Sequence, residues 1–259
     1  MPLTLSKRCQ FKSNCIYYTM MITRFFNPLF QIISHMELAE AIITILANDG
    51  KKNIVEIFND TSSGLNLIKI LAEGTRAADI PFSGGYICTL WHFHHPWSHR
   101  GYLTKKSSAN VTAELFAAAE KLWLEGNKEK AVFQLGRALH LLQDIFIPHH
   151  SGITAVKGHG DLEKWLTDNW KKYRVESGGF YHWSEKFCDA DGNCHSVNSA
   201  NPYDWIDYGS HLSFAWYREF FANSKYNEET FKKAAKLIIP NALKFSAGFV
   251  HLFFSQFYH

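Results

Sequence analysis

The sequence predicts an all-α fold, a single multi-helix bundle with metal ligands on inward-facing helix positions, and three observations carry that expectation. Period-2 alternation of apolar and polar residues is nearly absent, so strands are not indicated. Apolar residues instead recur at helical spacing in long runs punctuated by Gly, Asn and Pro. Finally, His140 with Asp144 and His159 with Glu163 are pairs of a histidine and a carboxylate four residues apart. Because a helical turn takes about 3.6 residues, both members of such a pair lie on one helix face.

At 259 residues and 46% hydrophobic content the chain can bury a large core in one big domain. The expected division is an N-terminal extension over residues 1–30 and a helical domain over 31–259. The 27 basic and 24 acidic residues are interspersed and net only +3, too mild for a nucleic-acid or membrane surface. Fourteen histidines are the compositional anomaly. Five cysteines, an odd number without C-x-x-C spacing, indicate neither a disulfide framework nor a zinc finger. Cys188 and Cys194 bracket Asp-Ala-Asp-Gly-Asn, which reads equally as a small disulfide loop of an exported protein or as a turn with two free thiols.

In chain order, Lys7, Arg8 and Lys12 precede the weakly apolar run Cys15 to Ile22. This resembles a degenerate signal peptide, but no small-x-small cleavage site follows and Arg24 intervenes. A pro-segment, or a true start at Met20 or Met21, is the alternative. No run of 18 or more apolar residues argues for a transmembrane helix. Ser34-His-Met-Glu37 has capping-box spacing ahead of the apolar run Leu38 to Leu46, which Asn48-Asp-Gly50 stops, so His35 is expected at a helix entrance. Residues 51–73 give one or two helical segments broken at Ser62-Ser-Gly64, and Gly74-Thr-Arg-Ala-Ala-Asp79 follows. Trp91-His92-Phe-His94-His95-Pro96-Trp-Ser-His99 then places four histidines in a loop suited to cradling a ligand. Residues 108–125 and 128–147 form a helical hairpin around Glu125-Gly-Asn127. Pro148 ends the second of these helices, His150 follows it, and a helix over 159–174 carries the second His and carboxylate pair. After a loop over about 176–202 come helical runs over 203–223 and 227–257, with Pro240 expected to break the latter.

Helix position separates a metal pair from a solvated one. At about 100° per residue, Leu135, Ala138, Leu139, Leu142, Ile145 and Phe146 make one apolar face. His140 and Asp144 lie opposite, among Phe133, Gly136 and Ile147 rather than Lys or Glu. The helix is therefore expected to be buried all round, where unpaired polar groups cost on the order of 2–7 kcal/mol each. A metal ion removes that cost.

These residues resemble the bacterial zinc-dependent phospholipase C family. Its His-x-x-x-Asp-x-x-x-Pro-x-His signature is met by His140, Asp144, Pro148 and His150, and its following His-x-x-x-Glu by His159 and Glu163. Ser34-His35 is similar to the family's N-terminal ligand histidine, Gly74 to Asp79 to its ligand aspartate, and His92 to its loop histidine. The resemblance runs from about residue 33 to 257. It implies two to three zinc ions: Asp79, His92, His140 and Asp144 on one, His150, His159 and Glu163 on a second, and His35 with a bridging Asp144 on a third. Three dications against three carboxylates leave a formal excess of about three positive charges, so such a site binds an anion. The implied reaction is phosphodiester hydrolysis by metal-activated water, with Asp79 positioning or deprotonating that water. The implied partners are a phospholipid or other phosphodiester and, transiently, a membrane surface, with no stable nucleic-acid partner; the implied compartment is outside the cell.

The sequence departs from the family in places. The family's third zinc also takes the free amino group and carbonyl of an N-terminal Trp, and Ile22-Thr-Arg-Phe-Phe26 stands there; the alternatives are His94, His95 or His99 as substitutes, or processing that exposes a new terminus. Leu141, Gln143 and Ile153 replace the usual Tyr, Gly and Asn. The alternatives are a zinc-dependent single-strand nuclease of the same fold and a non-catalytic, zinc-stabilised lipid-binding protein.

Overall fold

The computed structural model describes residues 29–155, 158–223 and 225–258, with the backbone alone over 29–34. The expectations for residues 1–24, and for the stretch that replaces the N-terminal Trp, lie outside the described residues. The helices are α1 (Leu29–Asn48), α2 (Lys52–Asn59), α3 (Leu67–Asp79), α4 (Ser108–Leu124), α5 (Lys128–Asp144), α6 (Pro148–Ser151), α7 (His159–Asn169), α8 (Pro202–Trp216) and α9 (Glu228–Ser255). One antiparallel hairpin pairs β1 (Ser184–Cys188) with β2 (Cys194–Asn198).

Helix α5 is the axis of the bundle, packed against α3 and α4 and touched by α9. It is buried on both faces, as its pattern predicts: Leu135, Leu139 and Leu142 are fully enclosed, and so is His140. Its crossing with α3 is made of glycine. A Cβ on Gly74 would stand 2.3 Å from the Phe133 carbonyl oxygen, and one on Gly136 would stand 2.2 Å from that of Leu71. Only residues without a side chain allow this backbone contact, and it is what carries Asp79, at the end of α3, up to His140.

Three expectations change. Helix α1 starts at Leu29, so His35 sits more than a turn inside it, not at its entrance. The apolar residues ahead of Ser34 extend the helical run, and Asn27-Pro28 in the sequence is the stronger start signal. Helix α9 runs through Pro240 without a break. Proline costs about 3 kcal/mol within a helix. That cost is outweighed by the flanking Ile238, Ile239, Ala242 and Leu243, all buried at roughly 1.5–3 kcal/mol for each large side chain. Lys236, whose carbonyl loses its partner, is exposed and open to water. Helix α9 is also long and apolar enough to cross a membrane by composition, and 67% of its most apolar window is buried inside the fold. The hairpin replaces part of the loop expected over 176–202. Its strands are five residues each and mostly exposed, too short for alternation to stand out. Cys188 and Cys194 face each other across its end and form a disulfide, which decides between the two readings of that pair.

Asp49, just past α1, ties the loop before the hairpin to the bundle. It accepts hydrogen bonds from the Gly178 and Gly179 amides at 2.8 and 2.7 Å and from the Tyr181 hydroxyl at 2.5 Å. Burial opposes ionisation, but the Tyr181 hydroxyl and the two amides hold its carboxyl below the ordinary value. Asp49→Ala is expected to lose about 1–2 kcal/mol, the low end for hydrogen bonds to a charge because solvent screens the site. A carboxyl depressed by folding stabilises above its unfolded pKa and ceases to do so as pH falls through the folded one. Urea unfolding at pH 7 and at pH 3 should therefore show a smaller gap between variant and wild type at the lower pH.

Candidate metal centre

All eight sequence-predicted ligands converge. His35 comes from α1, Asp79 from the end of α3, His92 from the residue after the 3-10 turn Thr89–Trp91, His140 and Asp144 from α5, His150 from α6, and His159 and Glu163 from α7. Pro148 opens the short helix α6, where its missing N–H is harmless, and turns the chain so that His150 faces back. Gly158, with φ at 87°, turns it again into α7 at His159.

Asp144 is the hub. Its Oδ1 lies 3.1 Å from His35 Nε2, and its Oδ2 lies 2.9 Å from His92 Nδ1 and 3.4 Å from both His140 Nε2 and His150 Nδ1. Asp79 Oδ1 is 3.3 Å from His140 Nε2 and 3.7 Å from His92 Nδ1. In the third group His159 Nε2 is 2.7 Å from Glu163 Oε1 and 2.9 Å from His150 Nε2. Tetrahedral zinc with bonds near 2.0–2.2 Å separates its donors by about 3.3–3.5 Å. The measured separations bracket that edge. Three donor groups result: His35, His140 and Asp144; Asp79, His92 and His140; His150, His159 and Glu163.

The donor set fits metal ions for a second reason. His140 Nε2, Asp144 Oδ1 and Glu163 Oε1 are buried and make no hydrogen bond, although donors and acceptors surround them. Buried polar atoms are ordinarily satisfied, and a cation between them satisfies all at once. Electrostatics point the same way. Burial lowers the His140 pKa, but the Asp79 and Asp144 carboxylates overcome it and raise the imidazole to about 10. Burial raises Glu163, but the neighbouring His159 and His150 bring it down to about 2. Protons and metal ions compete for the same lone pairs here.

Two orienting contacts were not foreseen. Gln143 Oε1 accepts from His35 Nδ1 at 2.7 Å, turning His35 Nε2 toward Asp144. His150 Nδ1 donates to the His92 carbonyl oxygen at 3.2 Å, leaving its Nε2 for His159 and Glu163. Contacts of this kind fix the tautomer of a ligand histidine. A correction concerns the histidines expected to replace the N-terminal Trp. His94 Nε2 and His99 Nδ1 turn instead to Asp207 Oδ1 of α8, at 3.0 and 3.2 Å. The ring of His95 packs on Phe214, and its Nδ1 accepts from the Ser98 amide.

A narrow, solvent-open cleft reaches the centre. His35, Asp144 and Glu163 line one part of it, and Leu38, Leu166, Trp170, Ile238 and Ile239 form apolar walls. Among the described residues no Lys or Arg lines it. Three basic side chains are paired away from it: Arg76 with Glu73, Lys106 with Glu114, and Arg137 with the Gly85 carbonyl.

Known proteins resemble this chain in sequence and fold. The chain is 25% identical over 238 residues to a phospholipase C of Clostridium novyi and 24% identical over 238 residues to one of Paraclostridium bifermentans. Those alignments cover 85% and 86% of this chain, which spans 58% of the length of either relative. Among solved structures, the alpha toxin from Clostridium absonum superposes with a TM-score of 0.68 at 19% identity, covering 85% of this chain and 62% of the toxin. The Clostridium perfringens alpha-toxin superposes at 0.65 and 20% identity, covering 86% and 63%. At those identities the superpositions establish the fold. The family model for zinc dependent phospholipase C matches residues 34–190, a span that contains all eight converging ligands, and the chain belongs to that family.

Proposed function

We propose that the protein hydrolyses phospholipids on the glycerol side of phosphorus, releasing diacylglycerol and a phosphorylated headgroup, with two to three zinc ions held by His35, Asp79, His92, His140, Asp144, His150, His159 and Glu163. The observation that carries this reading is the cleft, because apolar walls of Leu38, Leu166, Trp170 and Ile238 adjoin carboxylate and imidazole donors. A substrate with apolar chains on one side of a phosphodiester matches that division; a nucleic-acid strand needs basic side chains, and none of the described residues lining the cleft is Lys or Arg.

Bound zinc in such a site lowers the pKa of water to about 7 and stabilises negative charge that develops on oxygen. The protein's own part is orientation and proton transfer. Asp79, with 13% side-chain exposure against 9% or less for the other seven, is the ligand most open to an incoming water. It accepts the proton as the water oxygen bonds to phosphorus and the bond from phosphorus to the glycerol oxygen breaks; that oxygen then takes up a proton to leave as the alcohol. Gln143 keeps His35 aligned meanwhile.

We further infer export from the cell, supported by the Cys188 to Cys194 disulfide, and a transient encounter with a membrane surface, in which α9 serves as a core helix. Residues 31–259 act as the helical domain. The test is one zinc-loaded preparation assayed in parallel on short-chain phosphatidylcholine, phosphatidylethanolamine and single-stranded DNA. A lipid is expected to be cleaved at least about tenfold faster than DNA, since a 1.4 kcal/mol difference in transition-state binding suffices for that ratio. Faster cleavage of DNA than of both lipids would overturn the assignment in favour of a nuclease.

A further inference from the structure

We propose that Asp207 and His211 of α8 and His195 of β2 form a second metal site, for one divalent transition-metal ion of the zinc class, sharing no donor with the eight-ligand centre. Asp207 and His211 are four residues apart on one helix, the spacing of the two pairs in the main centre with the order of the two residue types reversed. The third donor arrives from the hairpin. His195 Nε2 lies 2.9 Å from Asp207 Oδ2 and 3.3 Å from His211 Nε2, and the three donor atoms all fall within 4.8 Å of one another.

Hydrogen bonding serves the three donors unequally. A neutral imidazole carries at most one proton on Nε2. If His195 gives that proton to Asp207 at 2.9 Å, His211 Nε2 can only share it at 3.3 Å, as the weaker branch of a bifurcated bond. A cation does bridge them, and two imidazole ligands on a tetrahedral zinc stand about 3.3 Å apart. Two imidazoles and one carboxylate are a donor set that suits zinc, copper or nickel over calcium or magnesium.

The surroundings supply what a ligand carboxylate needs. His94 is fully buried, and its Nε2 donates to Asp207 Oδ1 at 3.0 Å while its Nδ1 meets the Ser107 hydroxyl at 2.8 Å. His99 Nδ1 lies 3.2 Å from the same Oδ1. His94 thus fixes one carboxylate oxygen and leaves Oδ2 to the ion, the arrangement by which outer groups orient ligands. Trp97 covers the site, its ring edge-on to His211 at 4.4 Å and to His195 at 6.2 Å.

The fold gives such an ion a purpose. A two-stranded hairpin is marginal in water without packing. Here only Val197 of the two strands is buried. The disulfide closes the hairpin on itself and does not hold it to α8. An ion on His195, Asp207 and His211 joins β2 to α8.

The experiment uses the whole protein, loaded with zinc, freed of excess metal by gel filtration and analysed for metal content. The His195→Ala/His211→Ala double variant is expected to carry about one zinc equivalent less than wild type, one ion per three-ligand site, and Asp144→Asn to keep that equivalent. Equal zinc in wild type and the double variant would overturn the proposal. Should the double variant not fold, anomalous diffraction at the zinc edge from wild-type crystals decides: a peak about 2.0–2.1 Å from the Nε2 atoms of His195 and His211 supports the site, and flat anomalous density there rejects it.

Discussion

Stripping zinc from the protein with a chelator at pH 7 is expected to lower its melting temperature by at least about 10 °C and to abolish turnover. The size follows from the site. Structural zinc contributes on the order of 10 kcal/mol of apparent binding energy per ion in favourable cases, and a domain of 150–250 residues moves its midpoint by about 2–4 °C per kcal/mol. The apo centre recovers part of that loss, because its histidines and carboxylates pair with each other as protons replace metal. A net loss of about 4 kcal/mol is enough for the shift. The loss should be felt throughout the bundle, since the ligands sit on α1, α3, α5, α6 and α7 and each ion links at least two of these segments. Differential scanning calorimetry with and without chelator, followed by zinc add-back, checks it. An unchanged midpoint with zinc demonstrably removed would show that the centre is not part of the fold's stability.

Asp144→Asn is expected to reduce activity by at least about a thousandfold, the scale on which removing one electrostatic element of an active site is felt, and to lose more metal than His35→Ala. Asp144 Oδ1 and Oδ2 together lie within 3.4 Å of four imidazoles. The amide keeps the shape, removes the charge and turns one oxygen into a donor facing ring nitrogens. His35 stands toward one end of the cluster, against Asp144 and Gln143. Zinc analysis of the two variants, with circular dichroism to confirm folding, reads the order directly. More metal lost from His35→Ala would move the hub away from Asp144.

The candidate ligands stood out because of a conflict between residue type and position. His140 and Asp144 share their side of the helix with Phe133, Gly136 and Ile147, and a buried charged pair without a cation is costly. The helices themselves followed from their period and punctuation, with errors where local signals competed: a capping-box spacing at Ser34 inside a longer apolar run, and Pro240 in a helix held by burial. What sequence could not supply was contact between distant segments. Gln143 reads as an ordinary polar residue until α1 brings His35 to it across 108 positions. Asp207 lies far in the chain from the histidine loop, in a helix whose apolar and aromatic residues mask the single reversed pair, and only the packing of α8 joins them. The hairpin that carries His195 was missed because strands of five mostly exposed residues leave no readable alternation.

The glycine crossing of α3 and α5 works as a calliper. Asp79 follows Gly74 by five residues and His140 follows Gly136 by four, so the spacing of two helix backbones passes almost undiluted into the opening between a carboxylate and an imidazole, 3.3 Å. Helix pairs separated by ordinary side chains stand roughly 8–10 Å apart, axis to axis. Bare backbone contact is the tightest setting available to them. That setting brings the carboxylate and the imidazole to the donor spacing of a tetrahedral zinc site, about 3.3 Å, and the imidazole donors, not the spacing, disfavour calcium. Part of the geometry of this candidate centre is thereby written into two residues that supply no donor, and any side chain added at either one loosens the gauge.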